Sequence, residues 1–159
     1  DKRAQAEISS LAALRKKEQA HMHILVVHKA EECTSRQLVK TLLDDQSIAS
    51  FEGKILVDSI AQQTNAYQLN HNCLLSDDAS AYSKPNLEIF ADDVKASHGS
   101  TTGQIDKDQL FYLRSRGLEE KLAKKLLLKA FCTEVLDEIS HEAMKEKIFK
   151  NLSNYFECS

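Results

Sequence analysis

"LLDDQSIASFEGKILVD", residues 42–58, carries one mark twice: an apolar run closed by aspartate. Leu42-Leu43 ends at Asp44-Asp45, and Ile55-Leu56-Val57 ends at Asp58. Outward from there, the mark recurs where Leu74-Leu75-Ser76 meets Asp77-Asp78 and where Ile89-Phe90-Ala91 meets Asp92-Asp93. The first Asp of each mark, at Asp44, Asp58, Asp77 and Asp92, thus returns at a nearly regular interval. Short apolar runs at such spacing, each closed by a turn former, predict short strands in a sheet, sandwich or solenoid. Aspartate suits the closing position because its carboxylate accepts from nearby backbone N–H groups. Calcium loops place ligands at every second residue around a glycine, and no such pattern surrounds these pairs. A small residue precedes an aromatic at Ser50-Phe51, Ala66-Tyr67 and Ala81-Tyr82, with similar spacing. The polar run "TNAYQLNHN" (64–72) suits a stacked amide ladder or a loop.

Upstream, residues 4–19 are rich in Ala, Lys, Arg and Glu and predict a helix by propensity. "HMHILVVHK" (21–29) predicts a strand around Ile24, Val26 and Val27. The only proline, Pro85, is expected at a strand start. From Asp106 the apolar period changes from 2 to 3.6. Asp106 and Gln109 have capping-box spacing, and Gly117 after Arg114 and Arg116 marks the end of that helix. Residues 118–139 predict a second helix with Leu122, Leu126, Leu127, Ala130 and Phe131 on its apolar face. Ser140 is placed to cap a third, whose face holds Met144, Ile148, Phe149, Leu152, Tyr155 and Phe156.

The 159 residues are 42% hydrophobic and 28% charged, enough for a core and a soluble surface. A net charge of −3 opposes a nucleic-acid-binding surface over the whole chain. No apolar run approaches the roughly 20 residues of a membrane span. The first residue is Asp1, not Met, so the chain reads as a piece of a longer protein. Cys33, Cys73, Cys132 and Cys158 form no CxxC pair and read as reduced thiols of a cytosolic protein.

"ADDVKASHGSTTGQIDKDQLFY" (91–112) concentrates the candidate chemistry. Ser97 and His98 are adjacent, so on a strand they face opposite ways and cannot pair as nucleophile and base. No GxSxG elbow is present. "GSTTGQ" (99–104) lacks the spacing and lysine of a phosphate loop. Among the histidines, His21 and His23 share a face if their segment is a strand, and His98 has no sequence-local ligand partner. Tyr112, Arg114 and Arg116 are residue types enriched at interface hot spots.

Five stretches then carry a family resemblance: "SRQLVKTLLDD" (35–45), "GKILV" (53–57), "QTNAYQLNHNCLLSDDA" (63–79), "KPNLEIFADDVKASHGSTTGQID" (84–106) and "DQLFYLRSRGL" (108–118). Together they resemble the C-terminal part of the SufB/SufD family of the SUF iron–sulfur cluster assembly system. Ser97 and Gly99 flank His98 where the SufB branch carries acidic residues, so the resemblance is to the SufD branch. It implies a right-handed parallel β-helix followed by a C-terminal α-helical domain. The expected division is an N-terminal segment 1–20 of unassigned structure, a β-helix end over 21–104 and helices over 105–159.

The resemblance also implies a function: a non-catalytic, cytoplasmic scaffold that pairs with SufB through its β-helix end and docks the SufC ATPase on its helices. His98 matches the family's cluster-site histidine, with Lys95 and Ser97 beside it in the SufB-facing region. Gln109, Tyr112, Arg114, Arg116 and Gly117 fall in the SufC-docking region. Many SufD-branch members have Cys where Ala96 stands, which leaves ligation to His98 and to SufB residues. A nascent Fe–S cluster is expected in the assembled complex, with no cofactor held stably by this chain alone. No nucleic-acid or membrane partner is expected, and an isolated chain is expected to pair with a second copy through its open sheet edge. The rival readings are a SufB-like homodimeric scaffold and a β-solenoid enzyme acting on polysaccharide.

Overall fold

A computed structural model describes residues 1–157. In chain order it contains β1 (Gln5–Leu14), β2 (Gln19–His28), β3 (Thr34–Leu43), β4 (Ile48–Val57), β5 (Thr64–Leu74), β6 (Ser80–Ile89) and β7 (Val94–Gly103). Three helices follow: α1 (Lys107–Ser115), α2 (Glu120–Leu136) and α3 (Glu142–Glu157). Odd-numbered strands form one parallel sheet in the order β1-β3-β5-β7, and even-numbered strands form a second, β2-β4-β6. The chain therefore alternates between two sheets and winds a parallel β-solenoid of about three turns. Gln5 pairs with Thr34, Thr34 with Asn65, and Thr64 with Val94, so successive coils use nearly equal lengths of chain.

The aspartate rhythm is the half-coil. β3, β4, β5 and β6 end at Leu43, Val57, Leu74 and Ile89, each just ahead of its Asp pair or single Asp. Asp44 Oδ1 accepts from Asp45 N at 2.9 Å, and Asp45 Oδ2 accepts from Lys16 N of the preceding coil at 2.8 Å. At this corner one carboxylate serves the turn below. The second sequence mark has no common structural role: Phe51 is buried, whereas Tyr67 and Tyr82 are exposed.

The helix expected over residues 4–19 is strand and corner. Every residue of β1 pairs in register with β3. Helix propensity is worth only tenths of a kcal/mol per residue, and a waiting strand edge outweighs it. Lys16 sits at φ +56°, a left-handed corner that breaks any helix there. "TNAYQLNHN" lies in β5, and Gln68 stacks on Gln37 as an amide ladder. Pro85 lies inside β6 and not at its start; β6 is an edge strand, where a missing donor is tolerated.

Gly53 of β4 has a packing reason. A Cβ there would lie 2.3 Å from Gln68 Nε2 and 2.4 Å from Phe51 Cζ. The bare backbone lets the Gln68 side chain cross the interior to the opposite sheet.

Asp106 caps α1, its carboxylate accepting from Asp108 N at 2.8 Å and Gln109 N at 3.1 Å. Gly117 takes φ +91° just beyond the helix end. For α3, His141 takes the capping place expected of Ser140: its Nδ1 accepts from Met144 N at 3.3 Å, and its carbonyl accepts from Lys145 N. The buried face of α2 is Ala123, Leu128, Cys132, Val135 and Leu136. Leu122 and Leu126, expected inside, are 49% and 40% exposed. The helix is rotated because its partner is the outer face of the odd-strand sheet. Leu42 and Cys73 meet Leu128, Cys132 and Leu136 there, together with Leu152, Tyr155 and Phe156 of α3. The expected face of α3 is buried or half-buried except at Met144.

One cation is held inside this seam. Lys40 is 6% exposed, and its Nζ donates to Phe131 O at 2.9 Å, lies 2.5 Å from Glu134 Oε2 and sits over the Phe131 ring. The Lys40 hydrogen bond, followed by its charge, holds the Glu134 carboxyl below the usual 4.5 despite some burial. A carboxyl depressed on folding stabilises above its unfolded pKa, and that contribution disappears as pH falls through the lower folded value.

Two outcomes follow for stability. Gly53→Ala is expected to cost about 1–3 kcal/mol in urea unfolding, because Gln68 and Phe51 must both give way. Glu134→Gln is expected to be less stable than the parent at pH 7, with the difference closing below pH 4.5 as Glu134 takes up its proton; urea midpoints across the acid range measure this.

Candidate functional site

β7 and β6 are the last strands of their sheets, so the solenoid ends there in two unpaired edges. The residues that face inward at this end follow from the register. Gln37 pairs with Gln68, and Gln68 pairs with His98. In-register residues on parallel strands point to the same side of the sheet. Gln37 and Gln68 are buried in the interior, 0% and 1% exposed. Ala96 packs with the interior cluster of Ile55, Val57 and Ala66, which independently places the inward side of β7. His98 thus lies at the top of an inward column that ends in solvent, and it is exposed.

The neighbouring inward positions are also polar. Asn70 Nδ2 donates to Ser83 Oγ at 2.6 Å, and Asn72 Nδ2 donates to Thr102 Oγ1 at 3.2 Å. The end of the solenoid is therefore lined by amides and hydroxyls, where the earlier interior is rich in Val39, Leu43, Ile55 and Val57. Buried amides were missed as site residues; the alternation in "TNAYQLNHN" was the signal available, since every second residue from Thr64 to Asn72 is buried.

Lys95 and Ser97 share β7 with His98 but face the outer side, by strand alternation. The strand thus offers an imidazole at the open end and a cation and hydroxyl on its flank. Gln109, Tyr112, Arg114, Arg116 and Gly117 lie separately on and just after α1. That helix buries no residue. Phe111 and Tyr112 stand 72% and 57% exposed, Arg116 stacks over the Tyr112 ring, and Arg114 bridges to Glu120 at 3.1 Å. Exposed Leu122 and Leu126 continue the apolar character onto α2.

His21, His28, His71 and His141 have hydrogen-bond partners. His28 is buried and shares a hydrogen bond with Ser35 Oγ at 2.9 Å, and burial lowers its pKa. His71 Nδ1 pairs with Thr101 Oγ1 at 2.7 Å on the outer face, and its pKa is lowered by burial and then by Lys40. His21 and His23 do share the outer face of β2, with His21 Nδ1 2.7 Å from Ser50 Oγ. Among the described residues, no three of His, Cys, Asp and Glu are grouped to hold a metal ion. Cys33, Cys73 and Cys132 are buried free thiols. Burial pushes Cys73 up to about 11 and Cys132 up to about 12, so both remain protonated at neutral pH. Cys158 lies outside the described residues. Asp92-Asp93 makes a corner, with Asp93 O accepting from Gln63 N and Asp93 N donating to Gln62 Oε1. No helix of the described residues is long and apolar enough to cross a membrane.

Residues 1–131 match the family described as "SUF system FeS cluster assembly, SufBD core domain". The chain is 39% identical to the iron–sulfur cluster assembly protein SufD of Escherichia coli, over 91% of its own length and 34% of that protein. It is 40% identical to an iron–sulfur cluster assembly SufBD family protein of Synechocystis, over 89% of its length and 31% of the relative's. A SufBD family protein of Mycobacterium leprae is 36% identical over 79% of the chain and 34% of that relative. The chain spans about a third of the length of the curated relatives it matches. A solenoid of parallel coils with a polar, histidine-bearing end, three helices on its flank and this breadth of similarity give one conclusion: the chain belongs to the SufB/SufD family of the SUF iron–sulfur cluster assembly system.

Proposed function

We propose that this chain is a non-catalytic scaffold component of cytoplasmic iron–sulfur cluster assembly, meeting SufB at its open solenoid end and the SufC ATPase on α1 and α2. The observation that carries this reading is the position of His98. It stands on the last strand, at the mouth of the solenoid, at the top of a buried amide column. A parallel edge is a template for another strand, so a partner solenoid laid on β7 would enclose the imidazole in the shared interface. An imidazole there is a suitable ligand for iron or for a nascent cluster, which is the cargo of the complex. Ala96 supplies no thiolate, so further ligands come from the partner.

The helical region fits the second contact. α1 buries nothing of its own and presents Phe111 and Tyr112 beside two arginines, the aromatic and guanidinium chemistry that concentrates binding energy. The Arg114–Glu120 bridge ties α1 to α2, so the two helices present one surface.

Separate substitutions test the two contacts. His98→Ala in the full-length protein is expected to leave the thermal midpoint and SufC capture unchanged, since the side chain is exposed, and to lower cluster formation in the reconstituted complex by about tenfold. An unchanged cluster yield would remove the ligand role. Replacing Phe111 and Tyr112 together by Ala is expected to weaken SufC capture by at least about tenfold, measured by titration, with the SufB contact intact.

A further inference from the structure

Gln68 is an enclosed polar side chain next to the candidate site, and it is only half satisfied. Its Nε2 donates to Gln37 Oε1 at 3.0 Å. Its Oε1 is buried and has no hydrogen-bond partner among the described residues. An orphaned buried acceptor costs about 1–3 kcal/mol, and Gln68 is held there at the further requirement that residue 53 be glycine. A leucine or methionine would fill the same space without that cost.

The register shows what lies beside the orphan. One strand further along the coil axis, the partner of Gln68 is His98. Adjacent strands are about 4.8 Å apart, a distance that in-register side chains of this protein repeatedly bridge. His71 reaches Thr101 at 2.7 Å across the same pair of strands, on the opposite face. Asn72 reaches Thr102 at 3.2 Å on the same inward face. His21 reaches Ser50 at 2.7 Å in the other sheet. Of the two other orphans, Gln37 Nε2 lies one coil further in, and Asn70 Oδ1, also buried and unpartnered, is paired in register with Ser100, a hydroxyl donor.

We infer that Gln68 is the positioning residue of His98, its free Oε1 accepting one imidazole N–H so that the other ring nitrogen keeps its lone pair turned to the mouth of the solenoid. A rotation of the His98 side chain about its own bonds forms the contact. The relay then runs Gln37 to Gln68 to His98: Gln37 Oε1 takes the Gln68 amide N–H, which leaves the Gln68 oxygen for the imidazole to meet. Ring orientation and tautomer are set by an outer partner in this way at histidine ligand sites generally. The inference rests on the ligand role of His98 proposed above and adds what holds the ligand.

The test reads the ring itself. Histidine labelled with nitrogen-15 is incorporated in the full-length protein, and two-bond nitrogen–proton correlations show which ring nitrogen carries the proton, His98 being assigned from its loss in His98→Gln. One dominant tautomer is expected in the parent. Gln68→Met, which keeps the length and removes the acceptor, is expected to return the mixture of free imidazole and to lower cluster formation in the reconstituted complex about tenfold. A free-imidazole mixture in the parent overturns the inference without any variant, should Gln68→Met not fold. An unchanged tautomer in Gln68→Met also overturns it, as does a lost tautomer preference with undiminished cluster yield while His98→Ala remains defective. If His98→Ala is itself fully active while the parent shows a tautomer preference that Gln68→Met abolishes, the ligand role falls and the hydrogen bond stands.

Discussion

Every strand of the solenoid rests on the strand one coil before it, in parallel and in register. That single constraint organises the rest. It fixes the length of each coil, brings residues from distant parts of the sequence into one column, and repeats whatever is chosen for one coil in the next. It also leaves the β6 and β7 edges unsatisfied, because the pairing has no internal way to stop. A globular sheet hides its edges by closure or by covering them. Here the last edge carries a polar strand with His98 in it, and its pairing groups stay open.

Side chains follow the same stacking rule on both faces. On the inner face, apolar Val39, Leu43, Ile55 and Val57 share the interior with the amides Gln37, Gln68, Asn70 and Asn72. On the outer face, the odd-strand sheet exchanges solvent for α2 and α3, and β3 is buried on both sides from Gln37 to Leu43. Lys40 shows how a charge survives in that seam. Its ammonium is satisfied by a helix carbonyl, an aromatic face and a carboxylate that still reaches water, and the solenoid is tied to the helical layer at one point. Arg36 with Glu138 and Tyr155 with the Leu14 carbonyl add further ties along the same boundary.

The coil repeat was legible from the aspartates because one follows each of β3 to β6, and at Asp44-Asp45 the carboxylates take backbone N–H groups of the turn. The change at Asp106 was legible because a capping carboxylate and a C-terminal glycine bracket α1. Residues 4–19 were misleading for the opposite reason: Ala and Lys carry a local preference, and a non-local pairing with residues 34–43 decides their structure. The face of α2 was missed because Leu122 and Leu126 satisfy the periodicity of an amphipathic helix, while the rotation is set by the sheet it lies on. His98 was singled out by family resemblance alone. Nothing in its spacing showed that Gln68 and Gln37, one and two coils earlier in the chain, share its column.

The corner residues have a consequence for how such a molecule can vary. Arg3, Lys16, Glu32, Asp45 and Gln63 all take left-handed backbone geometry without being glycine, at matching points of successive coils. A corner is therefore specified by its stacking neighbours more than by its own residue type. Each coil depends mainly on the coil on either side. Length is thus a nearly free variable in this architecture: whole coils can be gained or lost upstream while the terminal column keeps its geometry. The polar end and the length of its support can evolve as separate traits.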